Sequence, residues 1–375
     1  MSSDSREKYL SHADSIVIKL GTQLLADKAG KLDVAFIADI AQQVSALRSA
    51  GQAVTIVSSG AIAAGMGELK LPERPSDLAR LQAVAAVGQR KLMDAWAAAF
   101  AQHSVSVAQI LLTREDIDHR GRFLNLRNTV TAIRDLGAIA IINENDSVST
   151  DELIKITFGD NDLLAAAVTH ALHGDLLILL TGVDGILDEN GQSVRTVRDI
   201  SQAQGLVRKE KSTLGKGGMN SKLQAARLVT DAGATLIVAE GKMPRVLHRI
   251  MDGEEVGTLF LPAEKKWSSR SRWIGSARAQ GKIHVDEGCT RALIERHKSL
   301  LPAGITNIEG EFGPGDIVSI AGADGKILGQ GLTNYAASDL RQIAGKRTAD
   351  VHHILAEAAY DEVIHCDNLV LGSEP

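Results

Sequence analysis

Ser15-Ile16-Val17-Ile18-Lys19-Leu20 is the stretch that decides the fold. It is a short run rich in β-branched residues, ended by Gly21, and it reads as a buried strand. Residues 34–50 follow at helical spacing, with Val34, Ile37, Ile40, Ala41, Val44 and Leu47 on one stripe and Gly51 as the stop. Ala53-Val54-Thr55-Ile56-Val57-Ser58 is then a second strand. Outward from this unit, short apolar strands are expected at 105–112, 138–142, 176–181 and 235–239. Helices are expected at 78–100, 122–135, 162–171 and 219–232. Alternation of this kind implies an α/β fold, a three-layer αβα sandwich around a mostly parallel sheet. Ligands bind such sheets at the carboxyl ends of the strands, and Lys19, Ser59, Asn143 and Thr181 stand at or near those ends.

The chain has 375 residues, 44% hydrophobic and 23% charged, which fits a globular protein of two domains. A net charge of −5 gives no general attraction to nucleic acid or anionic membrane. Cys289 and Cys366 are the only cysteines and match no zinc or redox spacing. The first seven residues are polar, without the apolar core of a signal peptide. No apolar run approaches the roughly 20 residues that span a bilayer. A cytoplasmic protein is the expectation, with no membrane partner.

Composition changes near residue 263. Residues 263–276 carry Lys265, Lys266, Arg270 and Arg272 among serines, and read as a solvated strip between domains or, alternatively, an interaction patch. The expected division is 1–262, a linker at 263–280, and a second domain at 281–367. That second domain holds a strand at 282–285, a helix at 290–298, then short strands separated by glycine turns at Gly304, Gly313-Pro314-Gly315 and Asp324-Gly325, the pattern of a small β-barrel.

Two polar clusters interrupt the apolar pattern of the first domain. Ile142-Asn143-Glu144-Asn145-Asp146 ends one apolar run, and Gly159-Asp160-Asn161-Asp162 opens another. Polar groups this dense beside buried elements are costly without partners. They offer acceptors for an ammonium and donors for a carboxylate, as a pocket for a small zwitterion requires. Polar turns with an N-cap are the plainer reading of either cluster alone. Three further turns offer an anion backbone amides and positive charge. These are Lys19-Leu20-Gly21-Thr22, Ser58-Ser59-Gly60-Ala61, and Leu214-Gly215-Lys216-Gly217-Gly218-Met219-Asn220-Ser221-Lys222. None is a P-loop, and no Gly-x-Gly-x-x-Gly follows the first strand.

Taken in this order, the five motifs resemble those of the bacterial glutamate 5-kinases, a branch of the amino acid kinase superfamily. The segment from Gly281 onward resembles the PUA domain attached to many of them. The resemblance implies ATP-dependent phosphorylation of the γ-carboxylate of L-glutamate, the first step toward proline, with feedback inhibition by proline. It implies Lys19, Lys222 and Asp162 as the catalytic group. Ser59, Gly60, Asp146, Asn161 and Asp160 would hold glutamate. Lys19, Thr181, Gly182, Lys216, Gly217, Gly218, Met219, Asn220, Ser221 and Lys222 would contact nucleotide. Mg²⁺ would travel with the ATP phosphates, since it keeps waters and takes few protein ligands, so no protein-only metal site is expected. A homo-oligomer and a functional partner that reduces glutamyl phosphate are also expected. Two positions depart from the pattern: Gly182 stands where the family usually has Asp, and Lys216 where it usually has Thr.

Sister kinases acting on aspartate, acetylglutamate, carbamate or a nucleoside monophosphate remain the alternatives within the fold. The two acidic clusters favour a free amino acid. RNA binding through the second domain is disfavoured, since residues 281–366 carry eight Lys/Arg against twelve Asp/Glu and only three aromatics, Phe312, Tyr335 and Tyr360.

Overall fold

The computed structural model describes residues 4–27, 30–148, 160–188, 192–200, 203, 216–263, 269–355 and 360–372. The chain divides into two compact units, Met1–Lys266 and Trp267–Pro375.

Among the described residues the first unit holds eight strands: β1 (Ser15–Leu20), β2 (Ala53–Val57), β3 (Val107–Leu112), β4 (Ile139–Glu144), β5 (Leu176–Thr181), β6 (Thr196–Val197), β7 (Thr235–Glu240) and β8 (Thr258–Phe260). Their order across the sheet is β3-β4-β2-β1-β5-β7-β8-β6. Every neighbouring pair is parallel except β7 with β8. Every residue of β4 and β5 is buried, as the continuous apolar pattern of a doubly covered sheet demands. From β1 the chain steps to β2 on one side, and later returns from β4 to β5 on the other. The switch point therefore lies beside β1, where Lys19 is the last residue but one of the strand.

Helices cover the sheet where the apolar stripes predicted them. Val34–Ser49 starts at Asp33, whose carboxylate accepts the Phe36 N–H, and buries Ile37, Ile40, Ala41, Val44 and Leu47. Leu78–Ala101 is capped by Asp77 and buries Leu81, Leu92, Trp96 and Phe100. A helix at Ala61–Glu68 packs against it through glycines. A Cβ on Gly88 would lie 1.8 Å from the Ala61 carbonyl oxygen, so only hydrogen fits between the two backbones. This contact seats the turn after β2 directly over the sheet.

The second unit holds a separate sheet of β9 (Gly281–Val285), β10 (Ile305–Gly310), β11 (Ile317–Ala321), β12 (Ile327–Leu332) and β13 (Leu369–Leu371), in the order β10-β9-β11-β12-β13. All pairs are antiparallel except β9 with β11. The short, mostly antiparallel strands are those that the glycine-turn pattern predicts for this domain. The strip read as a linker contains a helix, Ser269–Ser276, which falls in this unit. Trp273 and Ile274 are buried there, an apolar pair that the surrounding basic residues obscure in the sequence.

Candidate active site

The carboxyl ends of four adjacent strands, β4, β2, β1 and β5, carry Asn143, Ser58, Lys19 and Thr181. Over them lies the first turn of the helix Asp160–Leu172, bringing Asn161 and Asp162 down onto the strand ends. A second helix, Lys216–Asp231, packs against that one and contributes Ser221 and Lys222.

Asp162 is wholly buried and joins the two lysines. Lys19 Nζ lies 2.6 Å from its Oδ1 and Lys222 Nζ lies 3.0 Å from its Oδ2. Ser221 Oγ donates to Oδ2 at 3.3 Å. Burial alone would raise the Asp162 carboxyl, but the charges of Lys19 and Lys222 outweigh it and hold its pKa below the ordinary value. The carboxylate is therefore ionised, and its place in the first turn of a helix favours that state further. Two ammonium groups and one carboxylate together carry a net positive charge, an arrangement suited to a phosphate.

Asn161, the preceding residue, faces the other way. Its Nδ2 donates to Ser58 O at 3.1 Å, Ser59 Oγ at 2.7 Å and Asn143 Oδ1 at 3.3 Å. Asn143 in turn donates to Gln89 Oε1 at 2.8 Å. Asp146, just past β4, is buried, and its Oδ1 finds no donor among the described residues. Burial first, then the neighbouring Glu144, push its pKa up to about 7, with Arg74 acting in the opposite sense. A buried carboxylate without a donor calls for a cation.

The structure thus gathers Lys19, Lys222, Asp162 and Ser221 into one cluster and Asn161, Ser58, Ser59 and Asn143 into another, joined by the Asn161-Asp162 step. Gly60 adopts φ +94° at the start of the helix Ala61–Glu68, a conformation that favours glycine. Thr181 is not part of either cluster: its hydroxyl is tied to Val183, donating to the carbonyl at 3.0 Å and accepting the N–H at 3.1 Å. Gly182 lies under the Gln23 amide, and a Cβ there would sit 2.8 Å from Nε2. Lys216, Gly217 and Gly218 form the first turn of their helix, whereas the sequence places the helix start at Met219. Met219 is half-buried and Asn220 exposed. The side chains of Asp160 and Lys216, and Gly159 and Leu214-Gly215 altogether, lie outside the described residues. The sequence reading named Glu144 only within its polar cluster and passed over Gln89 and Arg74. Gln89 was detectable as a polar residue inside the buried stripe of a long amphipathic helix.

The amino acid kinase family profile matches residues 14–240, and the PUA domain profile matches residues 281–355. The chain belongs to the amino acid kinase family, among the glutamate 5-kinases. A protein named glutamate 5-kinase from Dehalococcoides mccartyi (strain 195) is 42% identical over 364 residues, covering 95% of this chain and 98% of that one. Namesakes from Desulfotalea psychrophila and Rhodopirellula baltica are each 40% identical over 377 residues, covering 98% and 99% of this chain and 99% and 97% of their own. A solved UMP kinase from Bacillus anthracis is similar at a TM-score of 0.45 and 18% identity, over 66% of this chain and 96% of that one. No helix among the described residues of this kinase is long and apolar enough to cross a membrane.

Proposed function

We propose that the protein transfers the γ-phosphoryl group of ATP to the γ-carboxylate of L-glutamate, giving γ-glutamyl phosphate and ADP. The observation that carries this reading is the Asn161-Asp162 step. One residue opens onto the lysine cluster, and the next one back opens onto the polar strand ends beside Asp146. Donor and acceptor substrates meet across a single helical turn.

A carboxylate oxygen attacks the γ-phosphorus, the bond to the bridging oxygen of ADP breaks, and the negative charge passes to ADP. The nucleophile has a pKa near ~4.3 and needs no general base at neutral pH. Asp162 is not a base in any case, since its pKa is depressed and an ammonium stands at each oxygen. Lys19 and Lys222 hold the phosphoryl oxygens as charge moves, the electrostatic and positional catalysis that phosphoryl transfer requires. Asp146 takes the substrate ammonium. That grip also keeps the amine from attacking its own acyl phosphate. Mg²⁺ travelling with ATP would neutralise charge on the phosphates and would be held through phosphate and water, since Asp162 is engaged by lysines.

Proline shares the α-ammonium and α-carboxylate of glutamate, and we place its inhibitory binding at Asp146. The product is a reactive acyl phosphate, so a reductase that consumes it is the expected partner. Homologues named glutamate 5-kinase support the substrate assignment over the sister kinases. The deciding measurement is ADP release across a panel of glutamate, aspartate, acetylglutamate, carbamate and UMP, with hydroxylamine trapping of the acyl phosphate. Glutamate-dependent hydroxamate is the expected result. ADP release with another acceptor and none with glutamate refutes the assignment.

A further inference from the structure

Three buried amides stand in line behind the head-group side of the site, and their orientations are mutually determined. The Glu144 N–H reaches Asn143 Oδ1 at 2.9 Å, and an N–H meets only an acceptor, so this end of Asn143 is its oxygen. Its Nδ2 must then face Gln89, which presents Oε1 at 2.8 Å. Asn161 faces Asn143 Oδ1 and the Ser58 carbonyl, both acceptors, so Nδ2 is the end it must turn toward them. Its Oδ1 is consequently directed elsewhere, and it is buried with no donor among the described residues. Orientation of such amides follows from the network rather than from shape, and this network has fixed points in two backbone groups.

We infer that Gln89 is a positioning residue: by accepting from Asn143 it locks the line of amides so that Asn161 offers the substrate an oxygen, not an NH₂. The partner of that oxygen is a donor, and on the reading above it is the substrate ammonium, on which this inference rests. Gln89 touches no substrate; it acts through Asn143 and Asn161. Without an acceptor at position 89, the buried Asn143 Nδ2 is left unpaired; a full turn would set its NH₂ against the Glu144 N–H and the Asn161 NH₂ alike, so Asn143 shifts to find another acceptor and loosens its hold on Asn161. Asn161 then rotates or shifts, and the ligand loses an acceptor.

The test separates an acceptor at position 89 from mere bulk. Gln89→Met fills the space without an acceptor, and Gln89→Glu keeps one. The Met variant is expected to raise the glutamate KM about tenfold, the effect of one lost buried hydrogen bond, with the ATP KM within about twofold. The Glu variant is expected to keep the glutamate KM within about threefold of wild type. Equal rises in the two variants, or an unchanged glutamate KM in the Met variant, overturn the inference. Should the Met variant not fold, Asn143→Asp carries the same test. Its carboxylate still accepts from Glu144 and Asn161, and Gln89 need only turn its NH₂ toward it. A tenfold rise in its glutamate KM refutes the relay, and a value near wild type supports it. Absence of glutamate turnover in the wild-type enzyme removes the substrate reading and the relay together, whereas turnover with an insensitive Gln89 removes the relay alone.

Discussion

With glutamate held as proposed, Asp146 makes the binding of substrate a proton-linked event. Its carboxyl is buried and its pKa stands at about 7, chiefly through burial and then through Glu144. An ammonium binds the ionised form. If only that form binds, the apparent glutamate KM scales with the reciprocal of the ionised fraction, rising about elevenfold at pH 6 and about twofold at pH 7 over its value at pH 8 or above. Once bound, the ammonium pulls the carboxyl down by roughly one to three units, as an opposite charge at contact does. Glutamate binding at pH 6 therefore expels roughly 0.4 of a proton from the enzyme for a one-unit drop and roughly 0.9 for a three-unit drop. The sign for stability runs the other way. Between 3.8 and about 7 the folded chain keeps a proton that the unfolded chain has lost. Unliganded stability therefore falls as pH rises through that window, by up to about 4 kcal/mol at full burial. Asp146→Asn removes the titration. That variant should be the more stable at pH 8, bind glutamate weakly, and show a flat KM profile. Initial rates from pH 5.5 to 8.5 at saturating ATP give the profile, and calorimetry in two buffers of different ionisation enthalpy counts the protons. A wild-type glutamate KM constant from pH 6 to 8, or a slope that survives in the Asn variant, refutes the reasoning.

Other perturbations act on the lysine cluster and the scaffold. Lys222→Ala should lower kcat at least a hundredfold at saturating substrates, on the order of ~3 kcal/mol of transition-state stabilisation, and steady-state kinetics will show it. Asp162→Asn removes a carboxylate whose pKa is depressed, and with it stability that is present above about pH 4 and lost as pH falls through the lower folded value. Denaturant titrations should show the wild type falling toward the variant at the acid end. Gly88→Ala places a methyl group 1.8 Å from the Ala61 carbonyl and should cost about 3 kcal/mol or more of stability, read as a fall in Tm.

The sheet was legible because its strands are continuous apolar runs and its helices carry clean stripes. Leu176–Thr181 begins and ends where its composition predicts, and Val34–Ser49 differs by one residue. β4 was read two residues short. Asn143 and Glu144 look like the end of a strand, yet they keep the ladder with Leu111 and Leu112, since backbone pairing is indifferent to a polar side chain that finds its own partner. The second unit was legible in its elements more than in its pairing. Its first strand and the helix after it were legible, the helix Glu287–Arg296 starting three residues before the predicted 290 because Asp286 caps it, whereas the parallel pairing of β9 with β11 has no local signal. Within the site, the charged groups announced themselves, and the amide behind them did not. Gln89 shares its helical stripe with Leu81, Val84, Ala85, Leu92 and Trp96, where periodicity marks burial but says nothing of what a buried amide bonds to.

The adjacency of Asn161 and Asp162 also explains why the site is built on a helix start instead of a loop. Consecutive residues of a helix diverge by about 100° around its axis, so two neighbours can face two different ligands while the backbone holds their separation fixed. Phosphoryl transfer is sensitive to alignment of the attacking and leaving oxygens. A loop carrying the same residues would let the two faces move independently. Here the helix is clamped at both: Asp162 by lysines from β1 and from the helix Lys216–Asp231, and Asn161 by the ends of β2 and β4. The desolvation of a wholly buried carboxylate is a poor route to stability, because a packed apolar group of the same volume would do at least as well. Its retention is better understood as a geometric constraint, in which the charge that positions the lysines also fixes the turn that presents Asn161 at the proposed amino-acid end.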